Sequence, residues 1–251
     1  MWTPHASTPA RVVTSAAALA TALLAGPFAT IALAAPSAAS VPAPRAAASA
    51  PSAVRAAAAT PPKDTRTGRR LDQPYTVGGI IVVSKAHRVS SRYRPAWARR
   101  PYGLRPDVYA AATRLLRAAR QKKLTLTIRS GYRSYATQAA SYRRAVARYP
   151  PPRAYADTYY APAGASEHQT GLAFDVWDGR HRGDAFARLP QSAWIARNAH
   201  TFGFIVRYPK GTQKITGIGW EPWHLRYVGT AVAARFGPNS KMTLEQYLGL
   251  A

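Results

Sequence analysis

From residue 71 onward, the spacing of hydrophobic positions in this chain changes several times. Between Pro106 and Lys122, apolar residues recur every three or four positions, which predicts an amphipathic helix with a proline in its first turn. Between Leu124 and Ile128, apolar residues alternate with threonines, which predicts a strand. The elements are mixed without a regular βαβ rhythm, which favours an α+β domain. By the same criteria, further strands are predicted at residues 79–84, 171–177, 204–208 and 223–228, and further helices at 134–148, 190–201, 230–236 and 243–248.

Two other stretches lack this periodicity. Residues 153–165 follow three consecutive prolines, are rich in Tyr, Ala and Pro, and are predicted to form a long irregular connection. Residues 35–70 consist almost entirely of Ala, Pro, Ser, Thr and Arg, with too little bulky apolar surface to fold. They are predicted to be a disordered linker, so the folded domain is expected to cover residues 71–251.

The first 34 residues have the features of a secretory signal peptide. An Ala/Leu-rich apolar run at residues 12–33 follows Arg11 and ends at an Ala-Leu-Ala triplet suited to signal peptidase. An uncleaved membrane anchor is the alternative, because the run is just long enough to span a bilayer. The protein is therefore expected to be secreted or associated with the cell wall, or membrane-anchored if the segment is not cleaved.

Composition limits the metal chemistry and the partners. The chain has no cysteine, so any metal must be bound by histidine and carboxylate side chains. The net charge of +25 attracts anionic polymers, and for a secreted protein anionic wall polymers are the candidate partners. Nucleic acid is not expected, because the basic residues are spread as singles and pairs without a recognition motif.

The candidate chemistry lies in two short segments. The chain has only 10 acidic residues and six histidines, yet residues 166–175 and 221–226 contain three of those acids and two of those histidines. A hydrolytic zinc site uses three protein ligands drawn from imidazole and carboxylate and keeps a position open for water. These segments offer three candidate zinc ligands and one candidate general base, namely His168, Asp175, His224 and Glu221.

Local geometry allows these residues to converge. On one straight strand His168 and Asp175 would lie on opposite faces, so a bend is expected at Gly171. Glu221 precedes a proline, which predicts a turn that enters a strand. The structural alternatives are a surface histidine with a salt-bridged aspartate, and an ion pair between Glu221 and Arg226, which would be worth only about 0 to 1 kcal/mol.

A third segment, SGYRSYATQ at residues 130–138, lies between a predicted strand and a predicted helix. Its Arg133 carries a planar guanidinium that can bind a carboxylate with two hydrogen bonds, although it is also one more arginine in a basic chain. With SEHQTGLAFDV and GWEPWHLRYVG, this segment resembles the VanY-type zinc D-alanyl-D-alanine carboxypeptidases, relatives of the VanX dipeptidases and of the Hedgehog-like zinc fold. The resemblance covers roughly residues 80–236, although Ser84 and Trp220 replace a usual Asn and a frequent Tyr.

The resemblance implies an α+β single domain with a small, mainly antiparallel sheet flanked by helices. It implies Zn²⁺ as the cofactor and stem peptides of peptidoglycan as the substrate. By motif position, the implied zinc ligands are His168, Asp175 and His224, the implied base is Glu221, the residue that assists at the substrate carbonyl or carboxylate is Arg133, and the residues that face the substrate are Ser130 and Gln138.

The resulting hypothesis is a secreted zinc metallopeptidase that removes the C-terminal D-alanine from stem peptides, with zinc-activated water and Glu221 as the general base. A peptidoglycan endopeptidase or a D,D-dipeptidase on the same fold is the alternative among enzymes. A non-catalytic, zinc-containing wall-binding module is the alternative outside them. The presence of Glu221 argues against that module, because a purely structural site has no use for a base.

Overall fold

A computed structural model describes residues 63–149 and 154–251. Its strands are β1 (Tyr75–Val77), β2 (Ile80–Val82), β3 (Thr127–Ser130), β4 (Ala173–Trp177), β5 (Phe204–Tyr208) and β6 (Glu221–Tyr227). Its α-helices are α1 (Pro106–Gln121), α2 (Tyr135–Arg148), α3 (Ala154–Tyr159), α4 (Gly183–Ala187), α5 (Pro190–Asn198), α6 (Gln213–Thr216), α7 (Thr230–Phe236) and α8 (Leu244–Tyr247). Short 3₁₀ helices lie at Gly68–Asp72, Pro101–Gly103, Glu167–Thr170 and Ala199–Phe202.

The central sheet has the strand order β3-β4-β6-β5, and each neighbouring pair is antiparallel. Strands β1 and β2 form a separate antiparallel hairpin. In the middle of the sheet, Asp175 of β4 lies opposite Ser130 of β3 and His224 of β6. The α+β prediction with a small antiparallel sheet is therefore confirmed, and the sheet brings the three motif segments side by side.

One face of β4 packs in the hydrophobic core, and the other lines a cleft. Phe174 and Val176 are 0% and 1% exposed and pack in the main hydrophobic core, together with Leu115 of α1. Burying side chains of this size stabilises the fold by about 1.5 to 3 kcal/mol each. Because side chains alternate along a strand, Asp175 and Trp177 point to the opposite face, where they line a cleft.

The predicted strand at residues 124–128 is wrong over its first half. After α1 the chain passes through Lys123 with φ of 60°, and the Leu124 amide donates a hydrogen bond to the Ala119 carbonyl oxygen at 3.0 Å. Leu124 thus closes the end of the helix, and β3 begins only at Thr127. The alternation of apolar residues and threonines is present, but Leu124, its first residue, belongs to the end of α1 and not to the strand.

The predicted irregular connection at residues 153–165 is wrong where α3 forms. Tyr155 and Tyr159 lie one helical turn apart with ring centroids 4.9 Å from each other, and Tyr149 packs on Tyr155 at 4.4 Å. Aromatic contacts at this spacing stabilise a helix, and the apolar period was hidden because its members are tyrosines. The short helices α4 and α6 and strand β1 also lie outside the predicted elements.

Only residues 63–70 of the predicted linker are described, and they contact the domain. Arg66 forms an ion pair with Asp64 at 2.7 Å and donates a hydrogen bond to the Arg88 carbonyl oxygen at 3.1 Å. Ordered contacts therefore begin before Leu71. The predicted signal segment, residues 1–34, lies outside the described residues. Among the helices that are described, none has both the length and the apolar character needed to span a membrane.

Candidate active site

The backbone brings three candidate ligands to one point. Asp175 and His224 face each other on the neighbouring strands β4 and β6, and His168 lies in the 3₁₀ helix that precedes β4. Gly171 supplies the expected bend, with φ of 65°. A Cβ atom at Gly171 would lie 2.4 Å from the Gly103 carbonyl oxygen, so both the turn and the close packing require glycine here.

The ligand atoms of His168, Asp175 and His224 all lie within 4.8 Å of one another. Asp175 Oδ2 is 3.4 Å from His168 Nε2, and Asp175 Oδ1 is 3.1 Å from His224 Nδ1. His168 Nε2 is buried and has no hydrogen-bond partner among the described residues. Two imidazoles and one carboxylate are a donor set that fits zinc, and a buried nitrogen with no partner among the described residues could bind such a cation.

The second nitrogen of each imidazole faces an acceptor. His168 Nδ1 is 2.6 Å from the Gly131 carbonyl oxygen, and His224 Nε2 is 3.6 Å from Glu167 Oε2. Histidines that bind metals usually donate their other N–H group to a carbonyl or carboxylate oxygen, which fixes the tautomer and the ring orientation. If each outer nitrogen donates in this way, His168 Nε2 and His224 Nδ1 are the nitrogens that would bind a cation beside Asp175.

Glu167 supports the site in a way that was not predicted from the sequence. It is 0% exposed, and its Oε1 accepts hydrogen bonds from Arg207 at 2.8 Å and from Arg226 at 2.7 Å. Arg207 also forms a two-pronged ion pair with Glu245 of α8 at 2.6 and 2.9 Å. Arg226 thus pairs with Glu167, which rules out the alternative pairing with Glu221. The signal was present as a rare acid beside His168, but its arginine partners are distant in sequence.

The surroundings of His168 and His224 shift their pKa values in opposite directions. Burial lowers the pKa of His168 to about 4, and the nearby guanidinium of Arg133 acts in the same direction. Burial also lowers the pKa of His224, but hydrogen bonds with Asp175 and Glu167 outweigh it and raise the pKa to about 9. Asp175 lies at Nδ1 of His224 and Glu167 at Nε2. The negative charges that stabilise the protonated imidazole would also stabilise a cation bound to it.

Glu221 is the first residue of β6, at the point where the predicted turn enters the strand. Its Oε2 lies 3.8 Å from His224 Nδ1, and its side chain is 12% exposed. Burial raises the pKa of Glu221 to about 8. The carboxyl group thus stands beside the candidate ligands, and its own environment favours proton uptake.

Arg133 follows β3 and is fixed by its backbone, because its amide donates to the His168 carbonyl oxygen at 3.1 Å. Its buried Nε has no acceptor in the described part of the chain. Gln138 is 1% exposed and donates from Nε2 to the Ala161 carbonyl oxygen at 2.6 Å, whereas its buried Oε1 has no partner there. Gln138 therefore ties α2 to the segment after α3.

One cleft of about 650 Å³ contains the whole predicted site. Its walls also carry Tyr155 and Tyr159 of α3, as well as Trp177. His181 lines the cleft too, and its Nδ1 pairs with Asp178 at 2.6 Å. The predicted site residues on its walls are Ser130, Arg133, Gln138, His168, Asp175, Glu221 and His224.

A family model described as VanY: D-alanyl-D-alanine carboxypeptidase matches residues 102–230, which are 129 of the 251 residues. The chain belongs to the VanY family. The matched range holds all seven predicted site residues. A curated relative, the putative carboxypeptidase YodJ of Bacillus subtilis, is 37% identical over 147 residues, which are 57% of this chain and 53% of the relative. This chain therefore spans about half the length of that relative.

Solved structures of VanY-like enzymes share the fold. The LdcB LD-carboxypeptidase matches with a TM-score of 0.59 and 30% identity, over 70% of this chain and 92% of that chain. A variant of the vancomycin-resistance D,D-pentapeptidase VanY from a VanB-type cassette, in complex with Zn(II), matches with a TM-score of 0.58 and 32% identity. That match covers 67% of this chain and 97% of the other. The similarity thus extends over nearly the whole of both relatives.

Proposed function

We propose that this protein is a secreted zinc D,D-carboxypeptidase that removes the terminal D-alanine from peptidoglycan stem peptides. The observation that carries the proposal is the convergence of His168, Asp175 and His224 beside Glu221 in one cleft. Membership of the VanY family and the Zn(II) complex of a related structure support it. The proposed signal segment and the basic surface, which attracts anionic wall polymers, agree with a site of action in the wall.

In this proposal, His168 Nε2, Asp175 and His224 Nδ1 hold the ion, and Gly131 and Glu167 orient the two imidazoles. When bound, zinc polarises a carbonyl oxygen and lowers the pKa of a water molecule, which makes that water nucleophilic at neutral pH. Glu221 takes a proton from the attacking water on its carboxylate oxygen and donates it to the leaving amine of D-alanine.

Arg133 binds the terminal carboxylate of the substrate. Its guanidinium has a buried Nε without an acceptor among the described residues. Its charge adds to the lowering of the His168 pKa and opposes the rise that burial causes in the pKa of Glu221. A carboxylate held by two hydrogen bonds at this arginine sets the scissile bond within reach of Glu221. Ser130 lies opposite Asp175, and Gln138 has an Oε1 that no described residue binds, so both offer polar groups to the substrate.

The test uses the zinc-loaded protein and a set of muropeptides whose products are identified by mass. Loss of one alanine from a pentapeptide supports the D,D-carboxypeptidase. The match to an LD-carboxypeptidase favours a second candidate, cleavage of the terminal D-alanine from a tetrapeptide. Release of a dipeptide, or separation of cross-linked dimers, identifies a dipeptidase or an endopeptidase. Zinc binding without turnover of any of these substrates supports a wall-binding module.

A further inference from the structure

Beyond the catalytic residues, the cleft contains two arginines that stack on one tryptophan. The guanidinium carbon of Arg129 lies 5.5 Å from the Trp177 ring centroid, and that of Arg182 lies 5.8 Å from it. All three residues line the cleft that holds the candidate active site. We call Arg129, Trp177 and Arg182 the outer arginine cluster. Stacking on an aromatic ring restrains a guanidinium while leaving its N–H edges open to a ligand.

Strand geometry aims Arg129 into the cleft. The register between β3 and β4 pairs Ile128 with Val176 and then Ser130 with Asp175, so Arg129 is the extra residue of a β-bulge. A bulge interrupts the alternation of side chains and redirects one of them. As a result, Arg129 and the adjacent Ser130 both line the cleft, which a regular strand would not allow.

The two arginines have no acidic partner within the described residues. Asp178 is the acid nearest to Trp177 in sequence, but its carboxylate accepts hydrogen bonds from the Arg180 and His181 amides and contacts the His181 ring at 2.6 Å. The side chains of Arg129 and Arg182 are exposed and form neither an ion pair nor a hydrogen bond in this part of the structure. Among the described residues, no ion pair therefore joins these two positive charges to the acids nearby, Asp178 and Asp184, the second of which also lines the cleft.

By the strand register, Trp177 of the cluster lies on one side of Asp175, and the end of β3, which Arg133 follows, lies on the other. Arg133 follows the end of β3, beyond Ser130, whereas Trp177 lies two residues past Asp175 on the antiparallel strand β4. Two strand residues correspond to about 7 Å. If Arg133 holds the C-terminal carboxylate, the cluster therefore faces the part of the substrate that precedes the scissile bond.

We propose that the outer arginine cluster binds a second carboxylate of the substrate, on the N-terminal side of the scissile bond. This inference rests on the proposed function and narrows its substrate class to stem peptides that carry such a carboxylate. Two sources share this chemistry. One is the side-chain carboxylate of a diaminopimelate at the third position, and the other is the free α-carboxylate of the γ-linked D-glutamate that precedes it.

The experiment compares four pentapeptides, with lysine or diaminopimelate at the third position and with the glutamate α-carboxyl group free or amidated. The expected result is a kcat/KM about tenfold higher for the peptide that has the recognised carboxylate, since its bonds to arginine are charge-assisted. The preference for diaminopimelate or for free glutamate identifies the source. Calorimetry of the same peptides binding to the Glu221→Gln variant measures the same preference without turnover.

Arginine variants decide whether the cluster is responsible. In the double variant Arg129→Gln/Arg182→Gln, the ratio between the carboxylated and the neutral peptides should fall towards one. Arg114→Gln is the matched control, because it removes a positive charge from an exposed position of α1 outside the cleft and should keep the ratio. Equal use of all four peptides by the wild-type protein, or an unchanged ratio in the double variant, overturns the inference. Absence of hydrolysis with a retained binding preference instead counts against the proposed function alone.

Discussion

His224 Nε2 lies 3.6 Å from Glu167 Oε2, on the side of the imidazole opposite Asp175. The other oxygen of Glu167 is held by two arginines that are each 1% exposed, so the carboxylate cannot turn away from the ring. Ion pairing with these arginines outweighs burial and holds the pKa of Glu167 below its usual range. Glu167 is thus a fixed anion that sets the orientation of a candidate metal ligand.

Replacing Glu167 with glutamine should weaken zinc binding and destabilise the fold. Metal affinity is expected to fall by about 10- to 100-fold, the usual effect of losing the group that orients a ligand histidine. The free energy of unfolding should drop by about 3 to 5 kcal/mol, because Arg226 loses its buried carboxylate partner. Competition with a chromogenic chelator and denaturant unfolding of the metal-free protein measure the two effects separately.

Glu245→Gln is the matched control for this variant. Glu245 binds the other two nitrogens of the same Arg207 guanidinium, and among the described residues no hydrogen bond or ion pair joins it to His224. The Glu245→Gln variant should have a lower free energy of unfolding, while its zinc affinity should remain near that of the wild type. If Glu167→Gln and Glu245→Gln weaken zinc binding equally, Glu167 acts only through the stability of the network and not on His224.

The candidate residues of the site were easier to predict from the sequence than the residues that hold them in place. His168, Asp175, His224 and Glu221 stood out because acids are rare in this chain, and short motifs report their own chemistry. The role of Glu167 could not be derived in this way. Its partners are 40 and 59 residues away, and only the packing of β5 and β6 against the 3₁₀ helix brings them together.

In the fold, too, local features were predicted from the sequence, and features that depend on distant residues were not. The helix α1 was predicted almost to its last residue, because its apolar period is long and its buried face is made of Val, Leu and Ala. The start of β3 was not predicted correctly. Leu124 fits a strand pattern equally well, but its amide donates a hydrogen bond to Ala119 at the end of α1. The bulge at Arg129 depends on pairing between strands, which no local pattern reports.

Substitution of Gly171 by alanine should disturb the site from a distance of three residues. The position has φ of 65°, and an added Cβ would meet the Gly103 carbonyl oxygen at 2.4 Å and Trp97 Nε1 at 2.5 Å. Alanine is expected to cost more than about 1 kcal/mol of stability and to lower zinc affinity, because the turn carries His168. Gly179→Ala is the control, since it has φ of 91° but meets no atom within 4 Å. Equal effects of the two variants on zinc binding would contradict a role of the bend in placing His168.

Arg133→Lys tests the two-pronged contact with the terminal carboxylate. An ammonium group keeps the charge but cannot reproduce the planar pair of donors, so kcat/KM on the pentapeptide should fall by at least about tenfold. Zinc content is expected to stay at the wild-type level, because Arg133 is not among the three candidate ligands. A peptide amidated at its C-terminus provides the internal control, since the lysine variant and the wild type should then differ little. Wild-type kinetics of Arg133→Lys on the free acid would assign this arginine to the basic surface.

Glu221→Gln separates proton transfer from metal binding. Glutamine keeps the size and shape of the side chain at the start of β6 but cannot take up a proton, and Glu221 is not one of the three residues whose ligand atoms converge. General-base catalysis is worth about 10² to 10⁴ in rate, so turnover of the pentapeptide should fall by at least this factor. Zinc stoichiometry and the unfolding midpoint of the loaded protein should stay close to those of the wild type. Loss of zinc from this variant would show that Glu221 is a ligand, and full activity would place the base at another residue of the cleft.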